Sequence, residues 1–333
     1  MSDFQQNKQL ILDYYEALDN APLNEISGVL KRYTQPEYHW RGMHPFYEKF
    51  DSDEVAREFW VPLRESLTPL QRRMDLFIAG ENYIDDIGGE WVCSMGHLMG
   101  LFDKNWLGIP STGKMVFLRY CEFHRIVDAK IAETALFIDI LGVVKQAGIE
   151  PLPPQTGAFL VTPGPRNHAG LLLSAQDPEE GDKTLALINR MCQDLVDSGL
   201  ESPQDELHKT WHDDMIWWGP AGIGATYTCE RYQKQHQGPF GEGLDNIQFN
   251  GHVARFAEGE FGAWFGWPNL SMTASGGFLG LTRSEKQVHM RVVDIYWRDG
   301  DKLAENWIFI DILYFLYQQG VDVLARLRDI NRT

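Results

Sequence analysis

The chain of 333 residues lacks the features that mark several large classes of protein. Its four cysteines are far apart and form no CxxC pair, so the sequence shows neither a zinc ribbon nor a disulfide framework. Against a net charge of −17 there is no basic cluster that would bind nucleic acid or an anionic membrane. The apolar runs are too short to span a bilayer, and the first residues lack the pattern of a secretory signal. We therefore expect a cytoplasmic globular protein with neither nucleic-acid nor membrane partners.

Cofactor and metal motifs are equally scarce. No GxGxxG, P-loop or GxSxG element is present, so nothing supports a nucleotide cofactor or a serine hydrolase. His208 and His212 are four residues apart, but there is no HExxH motif and no identifiable third ligand. We expect no cofactor and no metal.

The chain does contain one twenty-residue pattern twice. AKIAETALFIDILGVVKQAG (129–148) and DKLAENWIFIDILYFLYQQG (301–320) share 10 of 20 positions at an offset of 172. This period far exceeds the 20 to 50 residues of solenoid repeats, so it indicates a tandem duplication of a whole domain. We expect a first copy at 1–150, a Pro/Gly-rich linker at 151–182 and a second copy at 183–333.

Each copy has a helical pattern followed by strand patterns. Residues 9–18 carry apolar side chains at helical spacing. Later segments are typical of strands, with tight hairpin turns predicted at Asp128–Ala129 and at the Asp-Gly pair that ends in Gly300. This order predicts an α+β domain in which helices pack on a curved antiparallel sheet.

Three blocks of the first copy resemble the SnoaL-like polyketide cyclases of the nuclear transport factor 2-like superfamily. They are GIPSTGK (108–114), EFHRIVDAKIAE (122–133) and FIDILGVVKQAG (137–148), and the second copy carries degenerate versions such as GLTRSEK (280–286). The resemblance implies a cone, formed by a bent sheet closed by helices, with an apolar pocket at its mouth. It also implies pairing through the sheets, so the two copies are expected to form an internal pseudo-dimer, and a homodimer stays open.

The duplicated aspartate is the first catalytic candidate. Strand alternation places Asp139 on one face with Phe137, and Asp311 on one face with Trp307. Apolar neighbours disfavour an ionised carboxylate, and a carboxyl of raised pKa suits acid–base chemistry. The resemblance implies that this aspartate serves as acid and base in an intramolecular aldol closure. The alternative is a helix N-cap, because a helical segment follows directly.

His124 is the candidate partner of Asp139. It lies on the neighbouring strand, and histidine titrates near neutral pH. The alternative is a partly exposed histidine at a sheet edge. Tyr296 occupies the equivalent position of the second copy, so this acid–base pair is expected in the first copy alone.

The remaining candidates concern the pocket walls. The resemblance implies that aromatic residues after the first helices line the pocket, with core packing as the alternative. Arg119 and Arg291 recur at matching positions, where they either neutralise charge in a ligand or pair with Glu133 and Glu305. The predicted substrate-binding set is His39, Trp40, Arg119, Phe137, Trp217, Arg291, Tyr296 and Trp307.

These patterns favour a cofactor-independent cyclase- or isomerase-type enzyme that acts on a small apolar or aromatic carbonyl compound. Its predicted catalytic residues are Asp139, His124 and Asp311, and the first copy is expected to be the active one. The many tryptophans of the second copy either line a pocket for a flat ligand or fill it. A non-catalytic binding protein and an assembly protein of the same fold remain as alternatives.

Overall fold

The computed structural model describes residues 4–84, 87–199 and 204–330. The ends of the two predicted domains, residues 1–3 and 331–333, lie outside the described residues. The helices of the first copy are α1 (Gln5–Asn20), α2 (Ile26–Tyr33), α3 (Ser52–Val55), α4 (Val61–Ser66) and α5 (Ile140–Gln146). Its strands are β1 (Thr34–Gly42), β2 (Glu48–Lys49), β3 (Leu67–Glu81), β4 (Glu90–Phe102), β5 (Met115–Val127) and β6 (Lys130–Ile138). A π-helical turn, Ala56–Trp60, joins α3 to α4.

The second copy repeats this plan. Its helices are α6 (Pro178–Asp197), α7 (Gln204–Thr210), α8 (Cys229–Tyr232), α9 (Gly238–Gly243), α10 (Ile312–Gln318) and α11 (Val323–Ile330). Its strands are β7 (Trp211–Trp218), β8 (Thr226–Tyr227), β9 (Leu244–Phe249), β10 (Ala254–Glu258), β11 (Phe261–Ala274), β12 (Ser284–Asp299) and β13 (Lys302–Ile310). A π-helical turn, Gln233–Gln237, joins α8 to α9.

The two sheets have the same strand order. The first runs β2-β1-β6-β5-β4-β3, and the second runs β8-β7-β13-β12-β11-β10, with β9 also paired to β11. Neighbouring strands are antiparallel except for β1 with β6 and β7 with β13, which are parallel. The predicted duplicated α+β architecture is confirmed, but the sequence patterns did not predict the two parallel pairs.

Both predicted hairpins are present. The β5–β6 turn consists of Asp128 and Ala129, whose φ angles of 49° and 54° are those of a type I′ turn. The β12–β13 turn contains Gly300 at a φ of 65°, a conformation that glycine adopts without a steric penalty.

The outer faces of the two sheets pack against each other. Phe265 on β11 is fully buried among Trp91, Phe123 and Phe137 of the first sheet, at ring-centroid distances of 5.6, 4.8 and 6.1 Å. Because the other face of each sheet is covered by its own helices, the central strands are buried on both faces. The two copies therefore pair through their sheets, as expected of an internal pseudo-dimer.

The segment between the copies is hydrogen-bonded to both of them. The Leu172 amide donates to the Phe77 carbonyl at 3.0 Å, which extends the edge of β3. Ala158 pairs with Ala225 of the second copy through two bonds of 2.8 Å. This segment holds both copies in place along its length.

Helix α6 begins earlier than the sequence patterns placed the second copy. It begins at Pro178, with the Asp177 carboxylate accepting from the Glu179 amide at 3.0 Å. A capping aspartate followed by proline at the first helical position is a start signal, and it precedes the predicted boundary at 183.

Candidate functional site

Asp139 is the N-cap residue of α5. Its Oδ1 accepts a hydrogen bond from the Gly142 amide at 3.0 Å. Its Oδ2 accepts another, at 2.9 Å, from the Ala221 amide, which belongs to the second copy. The carboxylate therefore caps its own helix and at the same time holds a loop of the other copy.

Asp311 has the mirror-image arrangement and is fully buried. It caps α10 through the Tyr314 amide at 3.1 Å and accepts from the His44 amide of the first copy at 3.0 Å. Burial raises the pKa of Asp311 to about 6, against the opposing effect of Arg291, which donates to it at 3.3 Å. The gap between the two caps measures about 10 Å³, no more room than a single water needs. Both aspartates thus have the capping geometry that was the alternative to catalysis.

His124 lies on the opposite face of the first sheet from Asp139. Its Nε2 is 2.9 Å from the Tyr15 hydroxyl, and its Nδ1 is 2.9 Å from the Thr134 hydroxyl. Burial lowers the pKa of His124 to about 3. The predicted pairing with Asp139 is therefore absent. The hairpin register explains this, because His124 is opposite Thr134 and shares its face. Asp139 directly follows the end of β6, five residues after Thr134, and this odd number places it on the other side.

The interior of the first cone is filled by a charged cluster. The Arg72 guanidinium donates to Glu122 at 2.8 Å and to Asp19 at 3.1 Å. It also lies 3.8 Å from the ring centroid of Tyr15. Burial raises the pKa of Glu122, and the Arg72 charge opposes that effect. Glu122, the inward-facing acid of the first copy, is therefore already paired with Arg72.

His39 and Trp40 do not border a cavity inside the cone. His39 is 2.7 Å from the Glu48 carboxylate and stacks on Phe50 at 4.6 Å. Trp40 is buried against Phe59, with ring centroids 5.5 Å apart. Trp40 therefore follows the core-packing alternative.

The two arginines lie where the sheets meet. Arg119 donates to the Trp218 carbonyl at 3.1 Å and lies 4.1 Å from the ring centroid of Phe309. Arg291 lies 4.0 Å from the ring centroid of Trp267, in addition to its bond to Asp311. Arg119 thus packs on a ring of the opposite sheet, and Arg291 on a ring of the neighbouring strand β11.

Neither arginine forms the carboxylate pair that the sequence patterns suggested. On β6 the residue opposite Glu133 is Arg125, six residues from Arg119 along β5. Six residues of strand span about 20 Å, so Arg119 cannot reach Glu133. Glu305 instead accepts from the indole of Trp218 at 3.4 Å. The predicted pairs of Arg119 with Glu133 and of Arg291 with Glu305 are wrong.

Phe137 and Trp307 lie on the outer faces of their sheets. Phe137 packs on Trp267 at 5.4 Å, within the contact between the sheets. The indole of Trp307 donates to the Pro163 carbonyl of the connecting segment at 2.9 Å. Both residues therefore stabilise the assembly of the two copies.

A cavity of about 160 Å³ lies inside the second cone, between its sheet and helices α6 to α9. Two of the predicted ligand-binding residues, Trp217 and Tyr296, line it. The sequence patterns favoured the first copy as the active one, but the first interior is filled and this cavity is in the second. The aromatic lining consists of Trp211, Trp217, Tyr232, Phe240, Phe249, Trp264 and Tyr296.

Asp294 is the buried acid of this cavity. Asn306 Nδ2 donates to its Oδ1 at 2.7 Å, and among the described residues no other side chain bonds to it. Burial holds the pKa of Asp294 well above its ordinary value, with the Asn306 bond opposing. The Tyr296 hydroxyl two residues away accepts from the Trp264 indole at 3.2 Å. Asp294 is therefore set up to hold its proton and to offer it to a ligand.

His236 is another polar residue of the cavity lining. Its ring stacks on Trp217 at 4.0 Å and lies 5.7 Å from Phe240. Its Nδ1 is buried without a hydrogen-bond partner in the described part of the chain. Burial lowers the pKa of His236 to about 3, so the ring is neutral at physiological pH. A buried ring nitrogen without a partner is unfavourable unless a ligand or water bonds to it.

The strand registers show which residue of the second cone corresponds to Arg72. Across the β3–β4–β5 pairing, Arg72 aligns with Leu118. Across β9–β11–β12, Phe249 aligns with Met290, which is 172 residues after Leu118. Phe249 therefore occupies the position of Arg72, so the second cone has no guanidinium beside its buried acid.

The described residues show neither a metal site nor a membrane-spanning helix. Among the described residues, no group of three or more histidine, cysteine, aspartate or glutamate side chains is arranged to hold a metal ion. His208 Nδ1 is 2.7 Å from Asp213, and His212 Nε2 is 2.9 Å from the Asp299 carbonyl, so the two histidines have separate partners. None of the helices within residues 4–84, 87–199 and 204–330 is both long and apolar enough to cross a membrane.

The profile of the SnoaL-like polyketide cyclase family matches residues 31–147. This segment is therefore similar to that family. Aklanonic acid methyl ester cyclase DauD from Streptomyces sp. (strain C5) is 34% identical over 92 residues, which are 26% of this chain and 56% of that cyclase. The chain thus spans about half the length of this curated relative. The two sheets of one strand order show that the chain is a tandem duplication of one α+β domain.

Solved structures similar to parts of the chain include an NTF2-like protein from Burkholderia thailandensis E264. It is 23% identical and covers 43% of this chain and 97% of its own, with a TM-score of 0.32. TsrD from Streptomyces laurentii is 16% identical and covers 40% of this chain and 96% of its own, with a TM-score of 0.33. Likenesses of this size carry no conclusion about activity.

Residues 31–147, which match the SnoaL-like family, contain Asp139 and His124 but not the open cavity. The acid of that cavity, Asp294, is 172 residues after Glu122, so the repeat itself marked this position. Within RVVDIYW, Asp294 is the one acid and lies between apolar neighbours, a signal of the same kind as the one that singled out Asp139. The repeat of FIDIL is more visible, so Asp294 was not among the predicted site residues.

Proposed function

We propose that the second cone is the active site of a cofactor-independent, cyclase-like enzyme, in which Asp294 transfers protons to and from a small carbonyl compound. The cavity beside this buried acid carries the proposal. The similarity of residues 31–147 to the SnoaL-like family and the relation of the chain to a cyclase support chemistry of the cyclase class. Because the family match ends at residue 147, the extension to the second cone rests on the duplication.

The proposed chemistry begins with enolisation. The protonated Asp294 carboxyl donates its proton to the carbonyl oxygen of the substrate, and the resulting carboxylate takes a proton from the neighbouring carbon. The acid is regenerated and the substrate becomes an enol. In an aldol closure, the enol carbon then attacks a second carbonyl. The oxygen of that carbonyl receives the Asp294 proton, while the enol hydroxyl returns its own proton to the carboxylate.

The geometry around Asp294 suits this role. A carboxyl in apolar surroundings keeps its proton at a pH where an exposed one would lose it, so it can act as an acid near neutrality. Asn306 fixes one oxygen at 2.7 Å and leaves the other for a ligand. Positioned acids and bases of this kind contribute about 10²- to 10⁴-fold to a rate.

A non-catalytic ligand-binding role is the second candidate. It is favoured by the weak basicity of His236, whose pKa burial lowers to about 3, because no strong base then accompanies Asp294. In that case the cavity would hold a small molecule without changing it.

Proton exchange distinguishes the two candidates without the natural substrate. Acetophenone, a one-ring ketone, is incubated with the protein in deuterated buffer, and loss of its methyl proton signal is followed by NMR. An enzyme accelerates this exchange, and Asp294→Asn reduces the acceleration at least about 10²-fold. Asp139→Asn is the matched control and keeps the acceleration, because asparagine still caps the helix. Binding without accelerated exchange would favour the non-catalytic role, and loss of exchange in Asp139→Asn would restore Asp139 as the catalytic candidate.

A further inference from the structure

The cavity of the second cone also indicates which ligands it accepts. We propose that it selects uncharged ligands of about one ring that present an oxygen to Asp294 and His236, and that it rejects carboxylates. This inference names the substrate class of the proposed active site and rests on that proposal. It concerns binding, however, and can be tested separately from turnover.

The size of the cavity sets the first limit. Its volume of about 160 Å³ is close to the ~150 Å³ of an engineered apolar cavity that admits benzene. Stacked aromatic side chains form much of the wall, including Trp217 beneath His236 and Trp264 beside Tyr296. Such walls suit a flat ring of modest size.

The charges around the cavity set the second limit. No lysine or arginine is among the described residues that line it. Arg255, whose partner His252 belongs to the lining, is bonded to Asn189 at 2.8 Å and to His252 Nδ1 at 3.0 Å. Two further acids, Asp194 and Glu206, belong to the lining as well. An anionic ligand would therefore lose its hydration without gaining a counter-charge, which is strongly unfavourable.

Two buried polar residues of the lining define the third limit. Asp294 has one oxygen bonded to Asn306, and His236 has a buried nitrogen without a partner in the described part of the chain. A ligand with a carbonyl or hydroxyl group can bond to these atoms and so satisfy them. A purely apolar ring of the same size would leave both unsatisfied.

Two probes of nearly equal size test the selectivity by calorimetry. Acetophenone is neutral and benzoate is anionic at pH 7. We expect acetophenone to bind at least about 10-fold more tightly than benzoate. Equal or tighter binding of benzoate would overturn the inference.

Two variants test the residues. His236→Phe is expected to weaken acetophenone about 10-fold, the loss of one hydrogen bond, while the melting temperature stays the same or rises because a buried unpaired nitrogen has gone. Unchanged acetophenone binding in that variant would contradict the role of His236. Phe249→Lys, at a position 39% exposed, restores a cation where the first cone has Arg72 and should shift the preference toward benzoate about 5-fold or more. An unshifted ratio would show that missing positive charge is not the cause.

The outcomes separate this inference from the proposed function. If acetophenone binds with the expected selectivity but its proton exchange is not accelerated, the enzymatic proposal fails and the ligand class stands. If exchange is accelerated but benzoate binds equally well, the ligand class fails and the enzyme stands.

Discussion

Replacement of Asp311 by asparagine tests the capping geometry through its pH dependence. Asparagine keeps the shape and can accept the same amide hydrogen bonds, but it does not titrate near neutral pH. In the folded protein, burial raises the pKa of Asp311 from 3.8 to about 6. At a pH between these two values, the folded state keeps the Asp311 proton, whereas the unfolded state has released it. The wild type therefore loses stability as the pH rises from about 4 to 6.

The magnitude follows from the two pKa values. At 1.36 kcal/mol for each pH unit between them, the ionised Asp311 lowers the free energy of unfolding by about 3 kcal/mol at pH 7. The Asp311→Asn variant lacks this destabilisation at every pH. Its free energy of unfolding, relative to the wild type, should rise by about 3 kcal/mol between pH 3.5 and pH 7.5. Any constant effect, such as a weaker contact with Arg291, cancels from this difference.

Urea unfolding at several pH values, followed by tryptophan fluorescence, gives the required free energies. Asp245→Asn is the control, because it removes one negative charge from an exposed position of a chain whose net charge is −17. If the difference between Asp311→Asn and the wild type stayed flat with pH, Asp311 would not be a buried acid. If it fell, the ion pair with Arg291 would dominate over burial, and the reasoning would be refuted.

Two further substitutions probe the pairing of the copies. Asp139→Ala should lower the free energy of unfolding by about 2 to 4 kcal/mol in urea titrations, since it removes a helix cap and leaves the buried Ala221 amide unpaired. Asp139→Asn should lower it by less than about 1 kcal/mol, because asparagine still caps the helix. Equal losses in the two variants would argue against capping. Phe265→Ala should lower the free energy of unfolding by about 3 to 5 kcal/mol in the same measurement, because its ring is central to the contact between the sheets. Phe50→Ala is the control, at a position 67% exposed, and should lower it by under about 1 kcal/mol. A small effect of Phe265→Ala would show that the sheets pair weakly.

Much of the fold was readable from the sequence because it depends on local rules. Helix α1 follows from apolar spacing, and the turns at Asp128 and Gly300 follow from the residues that accept a positive φ. The duplication was visible because identical letters recur at one offset. None of these inferences needed to know what lies on either face of a sheet.

The site was harder to predict because strand alternation separates two faces without saying which face is inside. When both faces of a strand are buried, as on β6, a residue has apolar neighbours whichever face it is on. Asp139 therefore matched a pocket acid and a helix cap equally well. The charge beside the buried acid differs at one position, Arg72 or Phe249, and only the strand registers show that these two correspond.

The two cones have a buried carboxyl at the same position, but the partners of that carboxyl differ. In the first, Arg72 neutralises Glu122, and the pair fills the interior. In the second, Phe249 replaces the guanidinium, and Asp294 has only the neutral Asn306 as its bonded side chain among the described residues. A buried acid without a counter-charge lowers stability, so packing alone gives no reason for it. Asp139 and Asp311, by contrast, are fully accounted for by the helices they cap and the loops they hold. The function of this chain should therefore depend on Asp294, and the more conspicuous repeated aspartates should matter for its assembly.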